Sequence, residues 1–272
     1  MIPIIKWAGG KRQLLPELKK YLPPQYNIYV EPFLGSAAMF LDLLPDKAVL
    51  NDFNPELINV YKSVRDHIYE LTIILSKYQN EYNALPTIDE KSAYFYARRE
   101  EFNARIHNPK LNVEDAALFI FLNKACYNGL YRVNTQGYFN TPFGQHKRIS
   151  LYIKSSLLNC SEALQHARIL NGDFERACRD LKEGDFVYFD SPYYDTFDTY
   201  QAGGFPEEDH IRLYNLFVRL SKRGVYCLLS NSDTDFIKNL YKDYNIRIVP
   251  VKRMINCNGE KRTGTEVIIS NY

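Results

Sequence analysis

Five short apolar runs stand out along the chain: IYVEPF (28–33), AVLNDF (48–53), RILNGDF (168–174), DFVYFD (185–190) and GVYCLLSNS (224–232). Each is rich in β-branched or aromatic residues and stops at a polar residue or glycine, which predicts strands. Helical patterns fall between several of them. SAAMFLDLL follows the first, and EEDHIRLYNLFVRLSKRG precedes the fifth. In the latter, Ile211, Leu213, Leu216, Phe217 and Leu220 approximate one face, and Gly224 suits a C-cap. Near the end, IRIVPV and EVIISNY flank a polar, glycine-containing turn and predict a terminal antiparallel hairpin. The alternation of strands and helices predicts an open α/β sheet.

Between about Pro55 and Gln165 the alternation breaks. Helical patterns cover 55–82 and 89–106, followed by a stretch rich in Tyr, Asn and Gly with few long apolar runs. The expectation is an insertion between the second and third strands, forming a mostly helical domain over 55–165. Residues 1–54 and 166–272 then make up the sheet domain. In such folds ligands sit at the carboxyl ends of the strands, where this chain has placed its polar residues.

Composition narrows the class. With 272 residues, 46% hydrophobic and 24% charged, the chain reads as globular rather than disordered or fibrous. The start, MIPIIKWAGGKRQ, has too short an apolar run for a signal peptide, and no apolar stretch is long enough to span a bilayer. The five cysteines are odd in number and form no CxxC pair, so a disulfide framework or zinc site is not expected; a reducing cytoplasm fits best. Net charge is only +2, but its distribution is uneven. The 46 residues from Ala116 to Ser161 contain no Asp or Glu, against about five or six expected at the chain's average acidity. The same window holds Lys124, Arg132, Lys147, Arg148 and Lys154, interleaved with Tyr127, Tyr131, Tyr138, Phe139, Phe143 and Tyr152. A loop that merely lacks acids would look similar. A surface for a phosphate backbone needs this combination, however, and a nucleic acid is the expected partner.

Chemistry concentrates at the strand ends. In YVEPFLGSAAMF a strand runs into Gly35 and the small residues Ser36, Ala37 and Ala38, which allow a ligand to approach backbone N–H groups; a plain packing turn is the alternative. Asp52 ends the second strand around 20 residues on, a spacing suited to the ribose hydroxyls of a nucleoside cofactor, although NDFNPEL is also good capping sequence. KWAGGKRQLL fails the phosphate-loop pattern, yet its glycine turn would bring Trp7 and Lys11 to the cleft. GDFVYFDSPYYD ends a strand in Asp190-Ser191-Pro192-Tyr193, which could be only an Asp-Pro turn. It also contains what alkylation of an exocyclic amino group requires. A carboxylate (Asp190) and a carbonyl (Ser191) can accept hydrogen bonds from an NH₂ and favour a tetrahedral nitrogen. Tyr193 can stack on a base taken out of the duplex, and Pro192 keeps Ser191 extended.

The ordered set KWAGGKRQLL, EPFLGSAA, NDFNPELIN, YNGLYRVNTQGYFNTPFG, GDF and DSPYYDTF resembles the Dam-type, D12-class adenine-N6 DNA methyltransferases over nearly the whole chain. The resemblance implies a Rossmann-like class I methyltransferase sheet with an inserted, mostly helical target-recognition domain. It implies S-adenosyl-L-methionine as cofactor, contacted or framed by Trp7, Lys11, Glu31, Phe33, Gly35, Asp52, Asp173, Phe174 and Asp190. Asp190, Ser191, Pro192 and Tyr193 fall on the family's Asp-Pro-Pro-Tyr catalytic motif. Lys6, Tyr127, Asn128, Leu130, Arg132, Asn134 and Pro142 fall on its DNA-reading elements, with Tyr127 beside the opened pair and Arg132 on a guanine. The implied reaction is methyl transfer to adenine N6 in duplex DNA after base flipping, with GATC favoured as target, no metal, and a cognate restriction endonuclease as a possible companion in the same system.

This sequence departs from the family pattern at Ser191, where proline is usual, and at Gln145, where GATC readers often carry a basic residue. Two other readings keep much of the pattern: methylation of cytosine N4 or of a protein glutamine amide, and a non-catalytic DNA-binding protein. The acid-free aromatic window argues against a protein substrate.

Overall fold

The computed structural model describes residues 1–7, 11–106, 110–194, 204–252 and 263–272, with the side chains of Arg12, Lys252 and Thr263 excepted. Strands β1 (Tyr29–Glu31), β2 (Ala48–Asp52), β3 (Ala167–Asn171), β4 (Phe186–Phe189), β5 (Tyr226–Ser232), β6 (Asn245–Lys252) and β7 (Thr263–Ser270) form one sheet in the order β3-β2-β1-β4-β5-β7-β6. The first five strands run parallel. β7 is antiparallel to both β5 and β6, as the terminal hairpin pattern predicts. The turn between β6 and β7 lies outside the described residues, as does the Gly9-Gly10 turn.

Both faces of the sheet are covered, so the strands read as short continuous apolar runs. Val30, Val49, Val187, Phe189, Cys227 and Leu229 point to one face, which packs against α8 (Phe174–Ala177), α9 (Glu207–Lys222) and α10 (Asp235–Leu240). Tyr29, Leu50, Ile169, Phe186, Tyr188 and Leu228 point to the other. There they meet α2 (Ala38–Leu43), α3 (Pro55–Asp66), α6 (Val113–Ala125) and α7 (Lys154–Leu164). The short α1 (Leu15–Leu18) lies near the N-terminus, and α4 (Ile68–Ala84) and α5 (Ile88–Asn103) extend the same core outward. Helix starts follow local chemistry. Asn54 accepts from Leu57 N–H ahead of Pro55, Thr87 and Glu90 form a capping box, and Asp173 and Thr234 cap α8 and α10.

Among the described residues the segment between β2 and β3 holds five helices, α3 to α7; the two helical patterns at 55–82 and 89–106 cover α3 to α5, and α6 and α7 lie beyond them. Helix α6 falls in the stretch where few apolar runs were expected. It is buried at every position except Glu114 and Lys124. A helix apolar all round carries no 3.6-residue rhythm, so periodicity does not reveal it.

From Cys126 to Ile153 the chain is almost free of regular structure, yet its backbone is hydrogen-bonded. Asparagine side chains take the place of a neighbouring strand. Asn103 accepts from Phe139 N–H (2.9 Å) and donates to its carbonyl (3.0 Å), and Asn83 does the same for Ile149 (3.0 and 2.9 Å). Each amide presents one acceptor and a donor, which matches a peptide unit edge on.

Candidate active site

Three carboxylates stand at the ends of three adjacent strands. Asp52 closes β2, Glu31 closes β1, and Asp190 follows β4. Parallel strands put these ends on one edge of the sheet, so the spacing along the chain becomes a cluster in space. Burial, helped by the charges of Asp190 and Asp52, lifts the Glu31 carboxyl to about 8. Glu31 accepts from Tyr29 Oη (2.8 Å) and from Phe40 N–H (3.2 Å), which ties the end of β1 to the first turn of α2.

Asp52 sits on the turn that precedes α2. Its Oδ2 accepts from Gly35 N–H and its Oδ1 from Asn54 N–H, both at 3.0 Å. Burial raises its pKa, opposed by the backbone N–H groups of Asn54, Gly35, Phe53 and Leu34. Gly35 itself has φ +47°, and a β-carbon there would lie 2.8 Å from Trp7 Cδ1. Beside Asp52, Phe53 is 63% exposed, an aromatic face on the rim that the sequence reading did not single out. Phe33 stacks on Phe174 (5.3 Å between centroids) with Phe205 edge-on at 5.7 Å. Asp173 caps α8 and pairs with Arg212 at 2.9 Å.

Asp190 is held from two sides. Lys11 Nζ lies 2.6 Å from its Oδ1, with the lysine 6% and the aspartate 21% exposed. Ser230 Oγ donates to the same oxygen at 3.2 Å. Both of these contacts fall on Oδ1; among the described residues Oδ2 accepts no hydrogen bond. Burial raises the Asp190 pKa, and the Lys11 charge opposes it. The same Lys11 ammonium stands 4.4 Å from the Tyr193 ring centroid. Tyr193 Oη donates to Glu266 Oε2 at 2.6 Å, which fixes the ring from β7. Ser191 is buried, and Pro192 and Tyr193 are half-buried. Ser230, Asn231 and Glu266 were not among the sequence-derived candidates. Nothing local marks Glu266, whereas Ser230-Asn231-Ser232 is a polar run closing an apolar strand.

The residues matched to DNA reading form a second group, joined to the first by the N-terminal segment. Lys6 is exposed at its tip and its stem lies against Gly129, where a β-carbon would come within 2.3 Å of it. Asn123 accepts from Lys6 N–H and donates to the Lys6 carbonyl, both at 2.8 Å, and donates also to the Gly129 carbonyl at 3.1 Å. Trp7 stacks on Tyr131 (5.5 Å) while touching the Gly35 turn. Tyr127 is 55% exposed, and Asn128, beside it, has φ +54°. Arg132 and Pro142 are exposed and Leu130 is half-buried. Arg132 Nε donates to Asn140 Oδ1 (2.7 Å) and its Nη2 to the Asn140 carbonyl (3.2 Å). Asn134 closes the hairpin turn: its Oδ1 accepts from the Gln136 and Tyr138 N–H groups at 3.0 Å each.

Among the described residues no helix is long and apolar enough to cross a membrane. The curated relatives resemble the chain over almost its whole length. It is 39% identical over 281 residues to the Type II methyltransferase M1.LlaDCHI of Lactococcus lactis subsp. cremoris, covering 99% of this chain and 95% of that protein. It is equally 39% identical to the Type II methyltransferase M.MjaIII of Methanocaldococcus jannaschii, covering 99% of both. A DNA adenine methylase of Escherichia coli K12 is 31% identical, with 98% and 94% covered. Residues 7–255 match the description "D12 class N6 adenine-specific DNA methyltransferase". With that match spanning the strand-end carboxylates, Asp190-Ser191-Pro192-Tyr193 and the hairpin alike, the chain belongs to the D12 class of N6 adenine-specific DNA methyltransferases.

Proposed function

We propose that this protein transfers a methyl group from S-adenosyl-L-methionine to N6 of an adenine flipped out of duplex DNA, within GATC. The observation that carries this is the Asp190 carboxylate, whose Oδ1 is held by Lys11 and Ser230 while the same Lys11 ammonium stands over the Tyr193 ring.

The residues suit the cofactor. S-adenosyl-L-methionine is a cation at sulfur, and Asp52 and Asp190 with one lysine between them leave a net negative cleft, while Glu31, lifted to about 8, is largely protonated at neutral pH. Asp52 would accept the ribose hydroxyls, and Phe33, Phe174 and Asp173 would border the cofactor's adenine, with Trp7 backing the Gly35 turn. When bound, the cofactor supplies an electrophilic methyl group and a neutral leaving group, so the chain needs no nucleophile of its own.

The chain's own residues then hold the acceptor. Asp190 Oδ2 and the Ser191 carbonyl accept the two amino hydrogens of the base, drawing the nitrogen lone pair out of conjugation and towards the methyl group. The nitrogen gains the methyl group and sheds one proton to the Asp190 carboxylate, from which it passes to water. Lys11 keeps Asp190 anionic in a setting where burial alone would favour the protonated acid. Tyr193, anchored by Glu266, stacks on the base.

Residues 55–165 act as the target-recognition part. Tyr127 fills or borders the gap left by the flipped base, Leu130 and Pro142 make apolar base contacts, and Asn128 and Asn134 contribute amides. Arg132 reads guanine, for which bidentate arginine is the commonest specific partner, and Lys6 makes the second base contact. A restriction endonuclease cutting the same site would be the companion enzyme. This last point is supported by the Type II names of two relatives.

The test is transfer of a labelled methyl group to two duplexes differing only in one GATC site, followed by nucleoside analysis. N6-methyladenine in the GATC duplex alone is expected. Equal labelling of both duplexes would keep the chemistry and refute the target, and a labelled cytosine would refute the base.

A further inference from the structure

Backbone pairing between β4 and β5 reaches Phe189–Leu229, yet β5 continues through Ser230, Asn231 and Ser232. All three are buried, and their side chains take over where the backbone ladder stops. Ser230 donates to Asp190. Asn231, 1% exposed, donates from Nδ2 to Ser191 Oγ at 3.1 Å. Its Oδ1 accepts from Tyr194 N–H at 3.1 Å and from Ser232 N–H at 2.8 Å. Ser232 Oγ donates to the Tyr194 carbonyl at 2.9 Å. One amide therefore grips the chain on both sides of Pro192 and Tyr193.

We propose that Asn231 is a positioning residue for methyl transfer, and that serine at position 191 is matched to it. Ser191 is 2% exposed, so its hydroxyl cannot look to water for a partner, and neither can the Asn231 amide. A proline ring at 191 would restrict the backbone by itself but would carry no acceptor, leaving the Asn231 NH₂ buried and unsatisfied. In this chain the Nδ2–Oγ bond fixes the direction of the Ser191 carbonyl in place of the ring. Asn231 acts through Ser191 and Tyr194. The inference rests on the catalytic reading of residues 190–193.

The experiment compares the unmodified protein with Ser191→Ala, Ser191→Pro, Asn231→Ala and the Asn231→Ala/Ser191→Ala double variant. It measures kcat on GATC duplex DNA, the dissociation constant of S-adenosyl-L-methionine and the thermal midpoint of each. Ser191→Ala removes only the hydroxyl and should lower kcat several-fold, on the scale of one lost hydrogen bond, with cofactor affinity unchanged. Asn231→Ala should lower kcat by about 100-fold, as displacement of a reacting group does. The double variant should be no slower than Asn231→Ala alone, and Ser191→Pro should be slower than the parent. An active parent whose Ser191→Ala and Ser191→Pro variants turn over at the parental rate would overturn the inference and leave the catalytic reading intact. So would independent, multiplying losses in the double variant. Should Asn231→Ala not fold, the two Ser191 variants still decide. A parent that binds cofactor and methylates no DNA would overturn the catalytic reading, and this inference with it.

Discussion

Gly35→Ala offers the sharpest test of how the turn ahead of α2, the proposed cofactor turn, is built. The glycine has φ +47°, and an alanine held there adopts a left-handed backbone costing about 1–2 kcal/mol. The added carbon would also lie 2.8 Å from Trp7 Cδ1, closer than real contacts allow. Trp7 cannot swing aside freely, because its ring stacks on Tyr131 at 5.5 Å and on Phe119 at 6.5 Å. Overpacking of that kind costs about 1–3 kcal/mol, for a total of about 2–5 kcal/mol. At about 2–4 °C per kcal/mol for a chain of this size class, the thermal midpoint should fall by roughly 4–20 °C. Gly137→Ala separates the two terms: its φ is +83°, but nothing lies within 4 Å of the new carbon, so only the backbone cost of about 1–2 kcal/mol applies. Cofactor affinity should fall in Gly35→Ala and not in Gly137→Ala, since Gly35 N–H is what holds Asp52 Oδ2. Calorimetric titration with S-adenosyl-L-methionine and thermal unfolding of both variants make the comparison. Equal midpoints for the two variants, or unchanged cofactor affinity in Gly35→Ala, would refute the account of this turn.

Two further outcomes follow from the geometry. Arg132→Ala should reduce discrimination between GATC and sites altered at one guanine by about 1–3 kcal/mol; equal weakening on every sequence would make Arg132 a phosphate contact instead. His210 is buried among Tyr194, Phe205 and Phe236, and burial holds its pKa down at about 4. The unfolded chain takes up that proton near pH 6.5 and the folded one resists until about 4, so stability is full above 6.5 and is lost as pH falls. Between pH 8 and pH 5 the loss from this group is about 2 kcal/mol. Urea unfolding at the two pH values should show the acid penalty shrink by about that amount in His210→Phe, and an unchanged penalty would contradict the assignment.

The sheet was legible because strand burial writes itself into sequence. β1 to β5 are short apolar runs, each stopped by a residue that serves a different end, and the parallel arrangement brings those ends to one edge. Asp52 and Asp190 were accordingly visible in the sequence, whereas Glu31 was marked only by the family resemblance. Helix α9 was visible for the same reason, since one face is apolar and the other wet. Helix α6 was not, because burial on every side erases the rhythm that marks a half-buried helix. Nor could local pattern show how the irregular segment from Cys126 to Ile153 keeps its shape, since its backbone bonds go to Asn83 and Asn103, 66 and 36 residues away. The same limit applies at the site. Glu266 reaches Tyr193 across 73 residues, and Asn231 reaches Ser191 across 40. Sequence determined which polar groups stand at which strand ends. Only the tertiary structure decided what holds each of them still, because a hydrogen bond between distant side chains depends on where the sheet brings them and leaves no period or spacing in the chain.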